Sequence, residues 1–161
     1  MNLAQAAPNF KAQLNRSFGG KQGTIDFVQR LCGSFLLGVP LPKPTIIVFA
    51  GPAASGKTTF INTLEDVLGT QPKGYSARVD IDRLARRVKR DEFYDIRNAR
   101  VVFSNAQHLK GALRSRSIES LLRMASGAKL VVESNEIPVL DDSARIEMIV
   151  VPFQHNEPAG I

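Results

Sequence analysis

A glycine-bounded loop that ends in Lys57 and Thr58 carries the clearest chemistry in this sequence. Residues 45–59 read Thr-Ile-Ile-Val-Phe-Ala-Gly-Pro-Ala-Ala-Ser-Gly-Lys-Thr-Thr, an apolar run followed by G-x-x-x-x-G-K-T and then a helical pattern. The glycines let backbone N–H groups turn toward a phosphate, and the start of the helix adds partial positive charge. We expect Lys57 to reach the β and γ phosphates of ATP and the Thr58 hydroxyl to bind Mg²⁺. The residues predicted to surround the nucleotide are Gly51, Pro52, Ala53, Ala54, Ser55, Gly56, Lys57, Thr58 and Thr59.

Composition limits the classes of protein that can carry this loop. The chain has 161 residues, of which 43% are hydrophobic and 22% charged, as expected for one globular domain. No apolar run approaches the ~20 residues of a membrane helix, and the N-terminus lacks the pattern of a secretory signal. The net charge of +6 and the pI near 9.8 favour polyanionic partners, with nucleic acid first.

Cys32 is the only cysteine, so an internal disulfide is impossible and a reducing, cytoplasmic location is expected. It lies among Leu31, Phe35 and Leu36, which predicts a small buried apolar residue rather than a nucleophile.

The elements that must position the loop follow from the periodicity of the apolar residues. Residues 1–23 show no sustained period and predict a flexible lead-in, while a helix is expected over about 25–37 and another after the loop. Strands are expected at 45–50, near 77–81, and at 99–103, 129–133 and 147–151, with a helix around 118–122. This alternation predicts an α/β domain over 24–153, a mainly parallel five-stranded sheet between helices, and a loose tail at 154–161.

A basic stretch in residues 82–90 has two interpretations. Only Leu84 and Val88 would face inward on a helix there, and the other faces carry Arg83, Arg86, Arg87, Lys89 and Arg90. Such a run is usually a solvated helix face. Because the acidic residues Asp91, Glu92 and Asp95 follow it, contact with a phosphate backbone stays open as an alternative.

The order of motifs outside the loop resembles the ATPase domain of superfamily-3 helicases, in the phage and plasmid primase-helicase branch. The resemblance covers about residues 25–153 and rests on these segments: Phe27-Val-Gln-Arg-Leu-Cys-Gly33, Phe60-Ile-Asn and Val67-Leu-Gly69 after the loop, Ala99-Arg-Val-Val-Phe, Ile118 to Leu122 with Ser126-Gly127, Lys129-Leu-Val-Val-Glu-Ser-Asn-Glu-Ile-Pro138, Asp141-Asp142, and Ile149-Val-Val-Pro-Phe153. It implies an AAA+-like P-loop NTPase of a phage or mobile element. Such a protein acts in DNA replication and assembles as a homo-oligomer, or with a related ATPase, on single-stranded DNA through backbone contacts.

The resemblance also implies roles for single residues. Ser134-Asn135 resembles the family's motif C, in which the asparagine helps to position the attacking water, so Asn135 is the predicted sensor. The family's Walker B strand ends in an acid, but here it ends in Ser104-Asn105, and Asn105 could hold a water-coordinated Mg²⁺ without acting as a base. The nearest substitute acids are Asp80, Asp82 and Glu133.

Two further departures concern assembly and DNA. At the offset where the family has adjacent arginines, one of which acts on a neighbour's γ phosphate, this chain has Ile146 and Glu147, with Arg145 nearby. Arg145 is therefore the candidate trans arginine. The family's basic β-hairpin, between Walker B and motif C, is lost or drastically shortened, because Gly127 is followed almost at once by Lys129.

The sequence leaves three functions open. The first is an ATP-hydrolysing helicase-like ATPase in which Lys57, Asn105, Asn135 and Arg145 work in catalysis. The second is a degenerate nucleotide-binding subunit with a regulatory or assembly role and little hydrolysis. The third is a small P-loop kinase, in which Asp80 or Asp82 would serve as the base for a phosphate acceptor.

Overall fold

A five-stranded parallel sheet organises the computed structural model, which describes residues 7–154. The strands are β1 Thr45–Ala50, β2 Ser76–Arg78, β3 Val101–Asn105, β4 Lys129–Ser134 and β5 Glu147–Pro152. Their order across the sheet is β2-β3-β4-β1-β5, and every neighbouring pair runs parallel. The predicted α/β class and parallel five-stranded sheet are confirmed, because each predicted strand overlaps an observed one.

Helices cover both faces of the sheet. They are α1 Pro8–Ser17, α2 Gln22–Ser34, α3 Lys57–Leu68, α4 Ile81–Ala85 and α5 Ser115–Met124, with a 3₁₀ segment at Arg90–Ile96. The predicted helix at 25–37 is displaced toward the N-terminus, and Gly38 in a left-handed conformation (φ 61°) follows it. Within residues 7–154, no helix is both long and apolar enough to cross a membrane.

Successive side chains of a strand point to opposite faces of the sheet, so the core has two layers. Ile46 and Val48 of β1 pack with α4, α5 and the 3₁₀ segment on one face, whereas Ile47 and Phe49 pack with α1, α2 and α3 on the other. Strands β1, β3 and β4 are almost fully buried, as expected for the central strands of a sheet covered on both sides.

The expected flexibility of residues 1–23 is wrong for the part from residue 8 onward. Residues 8–17 form α1, and Leu14 and Phe18 are buried in the core. The Phe18 ring lies 6.4 Å from the Phe60 ring and 4.8 Å from the Phe153 ring, so aromatic packing fixes this helix on the domain. Residues 1–6, and the predicted tail from residue 155 onward, lie outside the described residues. Gln154 N–H donates to the Ser17 carbonyl at 2.8 Å.

The basic stretch at 82–90 is not one helix. Helix α4 ends at Ala85, and Arg86 is already extended (φ −120°, ψ 167°). The Leu84 carbonyl accepts a hydrogen bond from Arg114 N–H at 2.7 Å, and the Arg86 carbonyl accepts one from the Ser117 hydroxyl at 2.5 Å. Because these carbonyls bond to the start of α5, they are not used to continue α4.

Candidate functional site

The P-loop connects the C-terminal end of β1 to the start of α3. Gly56 adopts a left-handed conformation (φ 90°), as does Ala54 (φ 60°), and α3 begins at Lys57. A left-handed conformation is inexpensive for glycine, so Gly56 suits the sharp turn into the helix. The loop therefore places the N-terminal end of a twelve-residue helix beside the C-terminal ends of β1, β3 and β4.

Lys57 lies within the curve of its own loop. Its ammonium group donates to the carbonyls of Gly51 at 2.7 Å and Pro52 at 2.8 Å, and to the Ser55 hydroxyl at 3.1 Å. The residue is only 3% exposed. Burial lowers the pKa of Lys57, and the negative charge of Glu133 raises it in part. The loop thus holds the Lys57 ammonium group with three of its own oxygen atoms.

A chain of hydrogen bonds links the loop to strands β4 and β3. The Thr58 hydroxyl donates to Oε1 of Glu133, and the Asn105 side-chain amide donates to Oε2 of Glu133 at 3.3 Å. Glu133 is 1% exposed, which is unusual for a carboxylate without a cationic hydrogen-bond partner. A buried charge in a strand that otherwise serves the core indicates a functional role.

Thr58 and Glu133 border a small cleft of about 110 Å³. The cleft is lined by Ala54, Ser55, Gly56, Lys57, Thr58, Thr59, Gln107 and Glu133. Of the other predicted loop residues, Gly51 and Pro52 hold Lys57 through their carbonyls, and Ala53 does not border the cleft. Gln107 was not predicted, and its position two residues after β3 is the sequence feature that could have identified it.

The donor set of the cleft fits a nucleotide-bound Mg²⁺. The Thr58 hydroxyl, the Glu133 carboxylate and the Gln107 amide provide oxygen atoms of the hard kind that Mg²⁺ prefers. Magnesium sites of this type use one or two carboxylates together with substrate phosphates. No group of three or more His, Cys, Asp or Glu side chains suited to a metal occurs in residues 7–154. Thr58 and Glu133 are the hydroxyl and carboxylate that a Mg²⁺ ion in this cleft would meet.

The structure places the predicted sensor beside the loop without a direct contact. Asn135 follows the last residue of β4, and the carbonyl of the preceding Ser134 accepts a hydrogen bond from Gly51 N–H at 3.2 Å. Its side chain is exposed and makes no hydrogen bond within the described part of the chain. Asn135 thus lies at the same end of the sheet as the P-loop, whereas the Asn105 amide donates to Glu133.

Arg145 lies at the N-terminal end of the strands, whereas the P-loop lies at their C-terminal end. Arg145 precedes β5, and both β1 and β5 have six residues in parallel register, so about 17 Å of strand separates the two positions. Its guanidinium pairs with Glu119 at 2.7 Å, which raises the pKa of Arg145. Within one chain, Arg145 therefore cannot reach the cleft at the P-loop.

The acids considered for a kinase are also remote from the loop. Asp80 caps α4 by accepting a hydrogen bond from Asp82 N–H at 3.0 Å. Both residues follow β2, and two strands lie between β2 and β1, so the lateral separation is roughly 14 Å. Neither acid lines the cleft. Of the three substitute acids, the structure brings only Glu133 to the P-loop.

Comparison with known proteins gives information about the fold. No protein-family model matches the sequence, and no curated protein matches it. Among solved structures, the chain is similar to the C-terminal region of NrS-1 in its apo A form, with a TM-score of 0.52 and 12% identity. It is also similar to a chain of the E. coli MS115-1 HORMA:CdnC:Trip13 complex, with a TM-score of 0.40 and 14% identity, a score too low to support an argument.

The similarity extends over most of this chain but only part of the others. It covers 90% of this chain and 37% of the NrS-1 chain, and 94% of this chain and 65% of the chain in the HORMA complex. At 12% identity, the NrS-1 similarity shows a shared fold and nothing further. The chain has the α/β fold with a parallel sheet that this region of NrS-1 also has.

Proposed function

We propose that this chain binds ATP with Mg²⁺ and hydrolyses it as a helicase-type ATPase acting on DNA in the replication of a phage or mobile element. The observation that carries the proposal is the convergence of Lys57, Thr58 and Glu133 on one cleft at the end of a parallel sheet. A cation, a hydroxyl and a carboxylate at a glycine-rich turn are the groups that binding of a metal-complexed triphosphate needs.

Binding would exchange the partners of Lys57. The three oxygens that now hold its ammonium group belong to the loop itself. Phosphate oxygens carry full negative charge and bind an ammonium more strongly than carbonyls do. Backbone N–H groups at the start of α3 would add donors and the positive end of the helix dipole. Lys57 therefore serves as the cation that neutralises the β and γ phosphates.

The proposal of hydrolysis rests on groups in the cleft and at the same end of the sheet. When bound, Mg²⁺ supplies positive charge that stabilises the transferring phosphoryl group. Thr58 and Glu133 orient that charge through their oxygens, and Asn135 is exposed at the same edge of the sheet, where the attacking water would enter. Together with the sequence resemblance to superfamily-3 helicases, this arrangement supports turnover.

The partners follow from charge and from the position of Arg145. The net charge of +6 favours a nucleic-acid backbone, and the resemblance points to single-stranded DNA. Because Arg145 cannot reach the cleft of its own chain, a role at the γ phosphate requires a neighbouring subunit. We therefore propose an oligomer of this chain, or one with a related ATPase, that places Arg145 at the adjacent P-loop.

One observation favours a second candidate, a nucleotide-binding subunit with little hydrolysis. Helix α5 ends at Met124 and β4 begins at Lys129, so no hairpin lies between them in the described structure. The basic hairpin that the resemblance implies for DNA translocation is thus missing at this position. Such a chain could use ATP to control assembly rather than to move along a strand.

Phosphate release distinguishes the two candidates. Turnover of ATP should be measured on the purified chain with and without single-stranded DNA, over a range of protein concentrations, beside the Arg145→Ala variant. The proposal predicts turnover that DNA stimulates, that rises more than linearly with protein concentration, and that Arg145→Ala lowers by about 10³-fold or more. ATP binding without release of phosphate under all these conditions would favour the second candidate.

A further inference from the structure

Glu133 is a buried acid that the sequence resemblance leaves without a role. Strand β4 is buried along its whole length, and Leu130, Val131 and Val132 fill its centre. A glutamate there costs free energy unless its charge is compensated. Its side chain emerges at the P-loop, on the strand that follows the one expected to provide the Walker B acid.

The carboxylate is only partly used by the protein. Oε1 accepts the Thr58 hydroxyl and Oε2 accepts the Asn105 amide. A carboxylate has about four lone-pair positions, so two remain for another partner. Glu133 lines the same cleft as Thr58 and Lys57. The free positions can therefore accept a metal ion or a water that the metal carries.

The strand register explains why the acid is on β4 rather than β3. Asn105 and Glu133 are paired residues on these parallel neighbours. An acid at both positions would oppose two negative charges in one buried site, which raises the pKa of one of them and weakens both as ligands. A neutral amide at position 105 instead donates a hydrogen bond to Glu133. The two positions thus hold one carboxylate between them.

We infer that Glu133 holds the nucleotide-bound Mg²⁺ together with Thr58, in place of the acid that β3 lacks. This inference rests on the proposed function and assigns the metal role of that site to a residue of β4. Glu133 acts in two ways: it accepts the Thr58 hydroxyl hydrogen, which turns the hydroxyl lone pairs toward the metal, and it provides carboxylate oxygens to the metal or its water.

The test is a carboxylate exchange between the two strands. Glu133→Gln removes the charge with almost no change of shape, and the double variant Asn105→Asp with Glu133→Gln returns the acid to β3 at the same net charge as the parent. In the double variant the amide introduced on β4 can donate to the carboxylate introduced on β3, so the hydrogen bond between the strands is retained in reverse. Folding of each variant is checked by circular dichroism and thermal melting.

The affinity for a fluorescent ATP analogue is measured at increasing Mg²⁺ concentrations. The readout is the Mg²⁺ concentration at which half of the increase in affinity is reached. We expect Glu133→Gln to raise it on the order of 10- to 100-fold, with no loss of affinity in EDTA, and the double variant to recover it to within about threefold of the parent. An unchanged half-saturation in Glu133→Gln, or no recovery in the double variant, overturns the inference. If Glu133→Gln does not fold, the double variant decides alone by the same criterion.

This readout separates the inference from the proposed function. If the parent binds no nucleotide, or if Lys57→Ala binds as tightly as the parent, the proposed function is wrong. If the parent binds nucleotide more tightly than Lys57→Ala, but Glu133→Gln has the same Mg²⁺ half-saturation as the parent, only the metal role of Glu133 is wrong.

Discussion

Asn105 and Glu133 are register partners on adjacent parallel strands, and the Asn105 amide donates a 3.3 Å hydrogen bond to the Glu133 carboxylate. The resemblance predicts an acid at the end of β3, where Asn105 lies, and the structure has the acid Glu133 at the paired position of β4. Through Glu133 it also reaches Thr58 at the start of α3. The site therefore depends on the register of β3 and β4 as much as on the P-loop itself.

Replacing Gly51 should destabilise the domain. A Cβ built at Gly51 overlaps the carbonyl oxygen of Phe153, and Phe153 N–H bonds to the Ala50 carbonyl at 2.7 Å, so neither backbone can move easily. Gly51→Ala is expected to lower the free energy of unfolding by about 1–3 kcal/mol in urea denaturation. Gly23→Ala is the matched control, since nothing lies within 4 Å of a Cβ there. Equal unfolding midpoints for Gly51→Ala and the parent would contradict the close approach.

Helix α1 should contribute to global stability. Phe18 is buried and packs against Phe60 and Phe153. Removing a buried phenylalanine ring typically costs about 3–5 kcal/mol, so Phe18→Ala should shift the whole unfolding transition. Phe27→Ala provides the comparison, because Phe27 is 38% exposed. If the two variants lose the same small amount of stability, α1 is not part of the cooperative unit.

The thiol of Cys32 should react slowly in the native protein. Burial raises its pKa to about 12, so the thiolate fraction falls well below that of an ordinary cysteine at pH 8. The higher nucleophilicity that accompanies a high pKa offsets only part of this loss. We expect alkylation by iodoacetamide at pH 8 to be at least about tenfold slower than in urea, and to accelerate as pH rises toward 12. Equal rates in native and denatured protein would show that the thiol is accessible.

The segment between α4 and the 3₁₀ helix should contact nucleic acid. Arg83 pairs with Asp95 at 3.2 Å and Arg86 with Glu92 at 3.3 Å, whereas Arg87 and Arg90 form no ion pair with any residue from 7 to 154. Alanine at both Arg87 and Arg90 should weaken binding to labelled oligo-dT in fluorescence anisotropy. The salt dependence of log K should become shallower by about 1.4, since single-stranded DNA contributes roughly 0.7 per phosphate contact.

Lys43→Ala is the control for that experiment. Lys43 already pairs with Glu147 at 3.1 Å at the opposite edge of the sheet, so it should leave the salt slope unchanged. An unaltered affinity and slope in the Arg87 and Arg90 variant would place the DNA contacts elsewhere.

Local patterns made the fold and the P-loop predictable. The strand at 45–50, the glycines and the lysine lie within fifteen residues, and the apolar runs of β3, β4 and β5 are visible without tertiary information. Helix α1 carries Phe10, Leu14 and Phe18 at a spacing of four, but the glycines that follow it hid this pattern. The break after Ala85 depends on hydrogen bonds to α5, which no local pattern shows.

The choice of Glu133 among the candidate acids required information beyond any single segment. The sequence left Asp80, Asp82 and Glu133 as equal candidates, because it does not give the order of strands. In the sheet, β4 lies between β3 and β1, which brings Glu133 beside Thr58 and leaves the two aspartates at the far side.

Calorimetric titration of ATP with Mg²⁺ into the parent and into Lys57→Ala tests the central claim most directly. Lys57→Ala removes the ammonium that the loop now holds through Gly51, Pro52 and Ser55, and Lys43→Ala serves as a control of equal charge. We predict saturable binding to the parent and to Lys43→Ala, and a loss of affinity of at least about tenfold in Lys57→Ala. Equal affinities for the parent and Lys57→Ala, or no binding to the parent, would contradict the account.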